Sequence, residues 1–299
     1  MADNQQTGLI VKATGGFYYV LTPDGTRYQC RARGVFRKEK RSPCVGDRVD
    51  ILLPPEGDGT VMEIHPRRNT LIRPPLANLD QMGVVISTAD PAPNLYVLDQ
   101  FLAVLEYKEI EPLIIVTKAD VSCPDDLARL YEACGFRVFV VSSKTGQGLE
   151  EVRHALTGKI SAFSGNSGVG KSSLLNAIDP RLDIETGETS KKLGRGRHTT
   201  RHVELFPVEG GWVADTPGFS TMELTRMETI YKEHLAGCFR DFAPYREKCR
   251  FHDCLHGGEK GCAVKAAADE GKLAPSRYQN YLTMLEGVRN LKEWETERS

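Results

Sequence analysis

The sequence predicts an α/β chain: a parallel sheet covered by helices, preceded by a small all-β barrel and followed by a helical metal-binding segment. Three observations lead there. Between residues 69 and 225, short runs that are apolar on both sides alternate with helical segments, the pattern of a parallel sheet buried under helices. Residues 7–68 instead carry alternating apolar runs separated by turn signals. Beyond residue 226 lie three cysteines and a histidine at metal-ligand spacing, then two helical segments. The expected domains are 1–68, 69–225 and 226–299.

Composition sets the outer limits. A chain of 299 residues, 40% of them hydrophobic, can bury a sizeable core and divide into two or three domains. The net charge of -1 argues against a polycationic tail. It hides a local cluster: residues 27–48 hold eight Lys and Arg against two acids. The first residues lack a basic and apolar leader pattern, and no stretch approaches the roughly 18 apolar residues of a membrane span. The expected protein is soluble and cytoplasmic. Of the eight cysteines, three cluster with a histidine, which in a reducing compartment points to metal and not to disulfides.

In the first domain, Phe17-Tyr18-Tyr19-Val20-Leu21 and Val49-Asp50-Ile51-Leu52 are strand runs, and Pro23-Asp24-Gly25 and Pro54-Pro55-Glu56-Gly57-Asp58-Gly59 are turns. A basic β module with aromatic residues fits an oligonucleotide-binding barrel. A solvated basic face on an ordinary barrel fits it as well.

In the second domain, strands are expected at Val84–Ile86, Leu113–Val116, Val138–Val141, Ile160–Phe163 and Trp212–Ala214. Four of the five lead directly into a chemical motif. Ligands bind at the carboxyl ends of strands in such sheets, so the motifs converge on one edge. The strongest is Gly165-Asn166-Ser167-Gly168-Val169-Gly170-Lys171-Ser172, with Ser173 behind it. Its backbone N–H groups and the helix start face an anion. Lys171 would reach the β- and γ-phosphates, and the Ser172 hydroxyl would hold magnesium.

Thr117-Lys118-Ala119-Asp120 selects the base. A carboxylate at Asp120 accepts from guanine N1–H and the 2-amino group, donors that adenine does not offer there. The Lys118 stem covers a face of the base, and N–H groups around Ser142, Ser143 and Lys144 donate to guanine O6. Asp215-Thr216-Pro217-Gly218 supplies the far end: Asp215 toward magnesium, the Gly218 N–H toward the γ-phosphate. Between them Gly194-Arg195-Gly196-Arg197-His198-Thr199-Thr200 forms a basic loop in which Thr199 or Thr200 completes the magnesium shell, with Thr200 preferred. These are the parts of a GTPase in rotated order, the base-reading motif preceding the phosphate loop. Phe219 stands where many GTPases place a water-orienting glutamine, so the catalytic candidate is His198, an imidazole able to position water near neutral pH.

In the third domain, Cys249-x4-Cys254-x-His256-x5-Cys262 matches a closed tetrahedral zinc site with no open position for substrate. His252 competes with His256 as the fourth ligand. Ala266–Leu273 and Tyr278–Trp294 read as helices, the second with Tyr281, Leu282, Leu285, Val288 and Leu291 as an apolar stripe.

The rotated order, the phosphate-loop sequence, Arg197-His198-Thr199-Thr200, Asp215-Thr216-Pro217-Gly218 and the cysteine–histidine spacing behind a basic β domain together resemble the bacterial ribosome-small-subunit-dependent GTPase A (RsgA) family, over nearly the whole chain. The resemblance implies an oligonucleotide-binding barrel, a circularly permuted P-loop GTPase domain and a zinc domain. It further implies late maturation of the small ribosomal subunit, with rRNA as partner and hydrolysis of GTP to GDP stimulated by that subunit. A monomer is expected. A P-loop kinase and an RNA-binding module with nucleotide as a structural ligand are the competing readings. Thr117 departs from the family, where asparagine is commoner; Thr117→Asn is expected to tighten GDP binding.

Overall fold

A computed structural model describes residues 4–38, 41–72, 74–122, 124–184, 203–215 and 228–291. Along them run β1 (Gln5–Thr14), β2 (Phe17–Leu21), β3 (Arg27–Ala32), the short α1 (Val35–Lys38), β4 (Arg48–Leu52) and β5 (Gly59–Ile64). A small hairpin, β6 (Thr70–Leu71) and β7 (Leu76–Ala77), precedes β8 (Gln81–Ser87), α2 (Leu95–Tyr107), β9 (Glu111–Thr117), α3 (Asp125–Ala133) and β10 (Arg137–Val140). Next come α4 (Leu149–Leu156), β11 (Ile160–Ser164), α5 (Lys171–Ile178), β12 (Val203–Val208) and β13 (Gly211–Asp215). The C-terminal helices are α6 (Lys232–Leu235), α7 (Ala243–Arg246), α8 (Ala263–Asp269) and α9 (Pro275–Val288).

The chain divides into two compact units. One takes the described residues of Met1–Gly83, Leu149–Ser164 and Lys171–Phe219, the other those of Val84–Gly148, Gly165–Gly170 and Ser220–Ser299.

In the first unit β1 pairs with β2 and β4, β2 with β3, β3 with β5 and β5 with β4, closing a five-stranded barrel of oligonucleotide-binding type. Closure follows from alternation: Ile10, Val20, Cys30, Val49, Ile51 and Val61 point inward and are fully buried. Gly8 is required on β1, because a Cβ there would sit 2.5 Å from Val20 Cγ1 and 2.7 Å from the Leu21 carbonyl oxygen. The β1–β2 register shifts between Ile10 and Lys12, the bulge that bends a strand out of one ladder and into another. Beyond it β1 pairs antiparallel with β12, β12 antiparallel with β13, and β13 parallel with β11. The sheet is therefore mixed, where an all-parallel one was expected. The unforeseen strand is β12, whose Pro207 lowers its strand signal.

In the same unit Arg153 on α4 ends α5 by donating to the carbonyl oxygens of Ala177 (2.6 Å) and Ile178 (3.0 Å), groups a helix C-terminus leaves without partners.

In the second unit β10, β9 and β8 lie side by side, β10 parallel to β9. Residues Leu113–Val116 of β9 are fully buried. On α2, Asp99 accepts from Tyr131 (2.9 Å), Asn280 (2.6 Å) and Arg277 (2.6 Å), and Arg277 also donates to Asp241 (2.9 Å). Arg277 and Asp99 are each 1% exposed, so a buried charge network fixes α9 to α2. Phe239, Phe242 and Tyr281 pack beside it, mostly edge to face, with ring centroids 4.9 to 5.2 Å apart. Helix α8 begins and ends a few residues earlier than expected, and α9 begins at Pro275 and ends at Val288. Its stripe is partly core: Tyr281 and Leu285 are buried while Leu291 is exposed. No helix among the described residues is long and apolar enough to cross a membrane.

Candidate functional site

Strand β9 ends at Thr117, which is buried. Its hydroxyl lies 2.5 Å from the Val169 carbonyl oxygen in the phosphate loop and 3.0 Å from that of Ile86 on β8. The backbone then turns sharply, with Lys118 at φ +61°. Lys118 Nζ donates to the Asp90 carbonyl at 2.6 Å, and Val121 N–H closes the turn onto the Lys118 carbonyl at 2.9 Å. This turn leaves the Asp120 side chain exposed.

Ser142 aims that carboxylate. It is fully buried, and its hydroxyl donates to Asp120 Oδ1 at 2.7 Å. Its own backbone is held by Gln147 and Gly146, so the loop Ser142–Gly148 is tight. Gly148 is needed for that: its φ is +70° and a Cβ would lie 2.2 Å from the Val140 carbonyl oxygen. The Ser142 hydrogen bond, Asp120's own N–H and the Lys144 charge hold the Asp120 carboxyl below the usual carboxylate range. It is an anionic acceptor throughout the neutral range. Beside it an open hollow of about 440 Å³ is lined by Ala119, Asp120, Val121, Ser122, Pro124, Asp125, Val140 and Gln147. Neither Lys118 nor the phosphate loop lines it.

The phosphate loop follows β11. At Gly165 a Cβ would lie 2.6 Å from the Val85 carbonyl oxygen, which excludes any side chain. Gly168 and Gly170 take φ +84° and +95°, conformations that turn successive N–H groups to one side. Val169 is buried while Asn166, Ser167 and Gly168 are exposed. Lys171 and Ser172, both half-buried, open α5, and Ser173 on the first turn is exposed. Asp215 is the last residue of β13, which runs parallel to β11 with Ala214 opposite Ala162. The chain thus leaves β11 for the phosphate loop at the same end of the sheet as Asp215. His198, Thr199, Thr200 and Gly218 lie outside the described residues, as does the Asp215 side chain.

Cys249, Cys254, His256 and Cys262 bring one ligand atom each to within 4.8 Å of one another. His256 Nδ1 is 3.4 Å from Cys249 Sγ and 3.5 Å from Cys262 Sγ, and those two sulfurs are 3.9 Å apart. Edges near 3.8 Å are what four ligands at zinc–sulfur bond lengths of about 2.3 Å produce. Three thiols with one imidazole is a soft donor set suited to zinc. His252 is exposed and outside the cluster. Tyr278 and Tyr281 donate to the carbonyl oxygens of His256 (2.8 Å) and Leu255 (2.5 Å), so α9 carries the loop. N–H groups of Ala263 and Lys265 point at Cys249 Sγ and Cys262 Sγ, both at 3.3 Å, and such donors favour the thiolate.

The sequence singled out Thr117, Asp120, Ser142 and Val169 without their mutual contacts. It missed the Asp90 carbonyl under Lys118 and the Arg277 network, for which no local motif exists.

Residues 64–225 match the family described as RsgA GTPase, and residues 7–61 match the RsgA N-terminal domain. The chain belongs to the RsgA GTPase family. It is accordingly a GTP-hydrolysing enzyme with a circularly permuted GTPase fold, an N-terminal barrel and a helical C-terminal region. Among RsgA relatives, the "Small ribosomal subunit biogenesis GTPase RsgA" of Caldanaerobacter subterraneus subsp. tengcongensis is 45% identical over 97% of each chain. The protein of the same name from Shouchella clausii is 46% identical, covering 95% of this chain and 98% of its own. Two solved structures superpose on this chain. YjeQ from Thermotoga maritima does so with TM-score 0.79 at 35% identity, over 96% of this chain and all of that one. YloQ, described as a circularly permuted GTPase, gives 0.80 at 39%, over 96% of each.

Proposed function

We propose that this enzyme acts in late maturation of the small ribosomal subunit in the cytoplasm, as a monomer, with hydrolysis of GTP stimulated by the subunit and nucleotide state controlling its release. The observation that carries the nucleotide part is the Thr117–Val169 hydrogen bond, which joins base-reading strand to phosphate loop across 52 residues of sequence. Asp120, aimed by Ser142, supplies the carboxylate that distinguishes guanine from adenine. Lys118, Ser143 and Lys144 complete the base site, and Gly165–Ser173 cradles the phosphates with Lys171 as the cation.

Magnesium falls to Ser172, Thr200 and Asp215, hard oxygen donors suited to that ion; when bound it neutralises charge developing on the phosphate oxygens. The Gly218 N–H and Thr199 face the γ-phosphate. His198 positions the attacking water in the partner-bound state. Unchanged subunit-stimulated hydrolysis in His198→Ala would sink that assignment. Zinc at Cys249, Cys254, His256 and Cys262 is structural, since the donor set is closed. The working domains are 1–68 for RNA, 69–225 for nucleotide and 226–299 for zinc.

Turnover of GTP and ATP with and without purified small ribosomal subunits tests the whole reading. GTP-specific stimulation by subunits is expected. Turnover only with a small phosphoryl acceptor points to a kinase, and none at all to nucleotide as a structural ligand.

A further inference from the structure

We propose that Glu204 plugs a phosphate-binding pair, Lys12 and Arg27, on the outside of the barrel, and that RNA binds this face by displacing it. The inference rests on RNA as the partner and names where and how it is met.

Glu204 lies on β12, outside the barrel, yet its carboxylate is held by two barrel cations, Lys12 Nζ at 2.5 Å and Arg27 Nη2 at 3.2 Å. The cations are 30% and 42% exposed, the carboxylate 22%, so all three remain open to a ligand from solvent. Arg27 also lies over the Tyr19 ring, 4.8 Å from its centroid. The next arginine repeats the arrangement: Arg31 lies 4.2 Å over Phe17 and pairs with Asp58 at 3.2 Å. In the β2–β3 ladder Phe17 faces Arg31, Tyr19 faces Gln29 and Leu21 faces Arg27, so the six share one outward face.

Two aromatic–arginine pairs in a row, each arginine closed by a carboxylate from another element, make a nucleic-acid surface already occupied by anions. Arginine and lysine bound to carboxylate are equally able to bind phosphate, and aromatic faces beside them accept stacked bases. A phosphodiester carries the same single charge as Glu204, so exchange leaves the cations satisfied and releases the glutamate. The release is felt elsewhere. Glu204 is the ladder partner of Lys12 on β1 and of Asp215 on β13, so the plug lies one strand from the residue proposed for magnesium. RNA on the barrel thereby alters charge next to the nucleotide end of the sheet.

The test is binding of the full chain to a fluorescein-labelled 12-uridine RNA and to purified small ribosomal subunits. Glu204→Gln removes the plug and is expected to tighten RNA binding about three- to tenfold at low salt. Glu63→Gln, the same charge change at an exposed barrel position, is expected to change it less than about twofold. With Lys12→Gln and Arg27→Gln both present, the Glu204→Gln gain should vanish. Equal gains from the two glutamate variants, or a Glu204 gain that survives without the two cations, would mean general electrostatics and overturn the plug. A wild-type chain that binds subunits and RNA with Glu204→Gln unchanged overturns the plug alone; a wild-type chain that binds neither overturns the RNA reading with it.

Discussion

The hydroxyl of Thr117 lies within hydrogen-bonding reach of two backbone carbonyl oxygens at once, Val169 at 2.5 Å and Ile86 at 3.0 Å. It has one hydrogen, so one buried acceptor is served less well at any moment. Thr117→Val keeps the shape and removes the donor. It should loosen the phosphate loop and weaken GDP binding about tenfold, the effect of leaving a buried acceptor unpaired. Thr117→Asn brings two amide hydrogens that can satisfy both carbonyls together. Titration should show GDP binding tighter than wild type, and equal or weaker affinity would contradict this.

Ser142 bears on the same site through Asp120. Its hydrogen bond is the largest cause of the lowered Asp120 pKa. Because the lowered value keeps the carboxylate charged, wild-type GDP affinity should be flat from about pH 6 to about pH 8 and fall only in acid below the usual carboxylate range. Ser142→Ala removes the largest cause of the lowering, so the Asp120 pKa moves back up toward the ordinary carboxylate range and the acid fall begins at higher pH. At neutral pH the expected loss is about five- to twentyfold, from a carboxylate no longer aimed. An unaltered pH profile together with unaltered GDP affinity would show that Ser142 does not position Asp120.

What the sequence made legible was local. Gly165, Gly168 and Gly170 announce a phosphate loop because each backbone position there forbids a side chain or takes positive φ. Cysteine spacing announces the metal cluster, since all four ligands come from one 14-residue stretch. Strands β9, β10, β11 and β13 were readable as short apolar runs. Illegible were relations between distant residues. Glu204 looks like any acid in an alternating strand until β12 is seen beside β1. Arg277 looks like a surface residue of an amphipathic helix until Asp99, 178 positions away, is seen against it. The Val203–Val208 strand was hidden by its proline and by the basic loop before it.

The metal cluster carries its own pH dependence. Burial pushes the Cys254 thiol up to about 12 and raises that of Cys262 as well. Metal must therefore displace protons from these thiols, and zinc affinity should rise steeply from about pH 6 to about pH 8. Competition with a coloured chelator measures it. One zinc per chain is expected by elemental analysis, and Cys262→Ser should abolish it. Chelation should unfold the Cys249–Cys262 loop and lower thermal stability. Full stability in the stripped protein would count against a structural metal.

Arg277 offers the sharpest stability test. Its guanidinium joins Asp99, 1% exposed, and Asp241, 5% exposed, and Tyr131 and Asn280 close the remaining contacts of Asp99. Arg277→Met fits the long side chain but leaves two carboxylates buried without their counter-charge. Breaking such a network by removing one partner costs about 3–5 kcal/mol. The partners come from the GTPase helix α2 and from the C-terminal segment, so the damage falls on the attachment between them. Urea unfolding should show the midpoint falling, with the aromatic cluster around Tyr281 lost before β9. Arg277→Lys keeps the charge but not the fork that reaches both acids, and should recover about half of the loss. A cost below about 1 kcal/mol for Arg277→Met would mean that packing among Phe239, Phe242 and Tyr281, and not the charge network, fixes α9 in place.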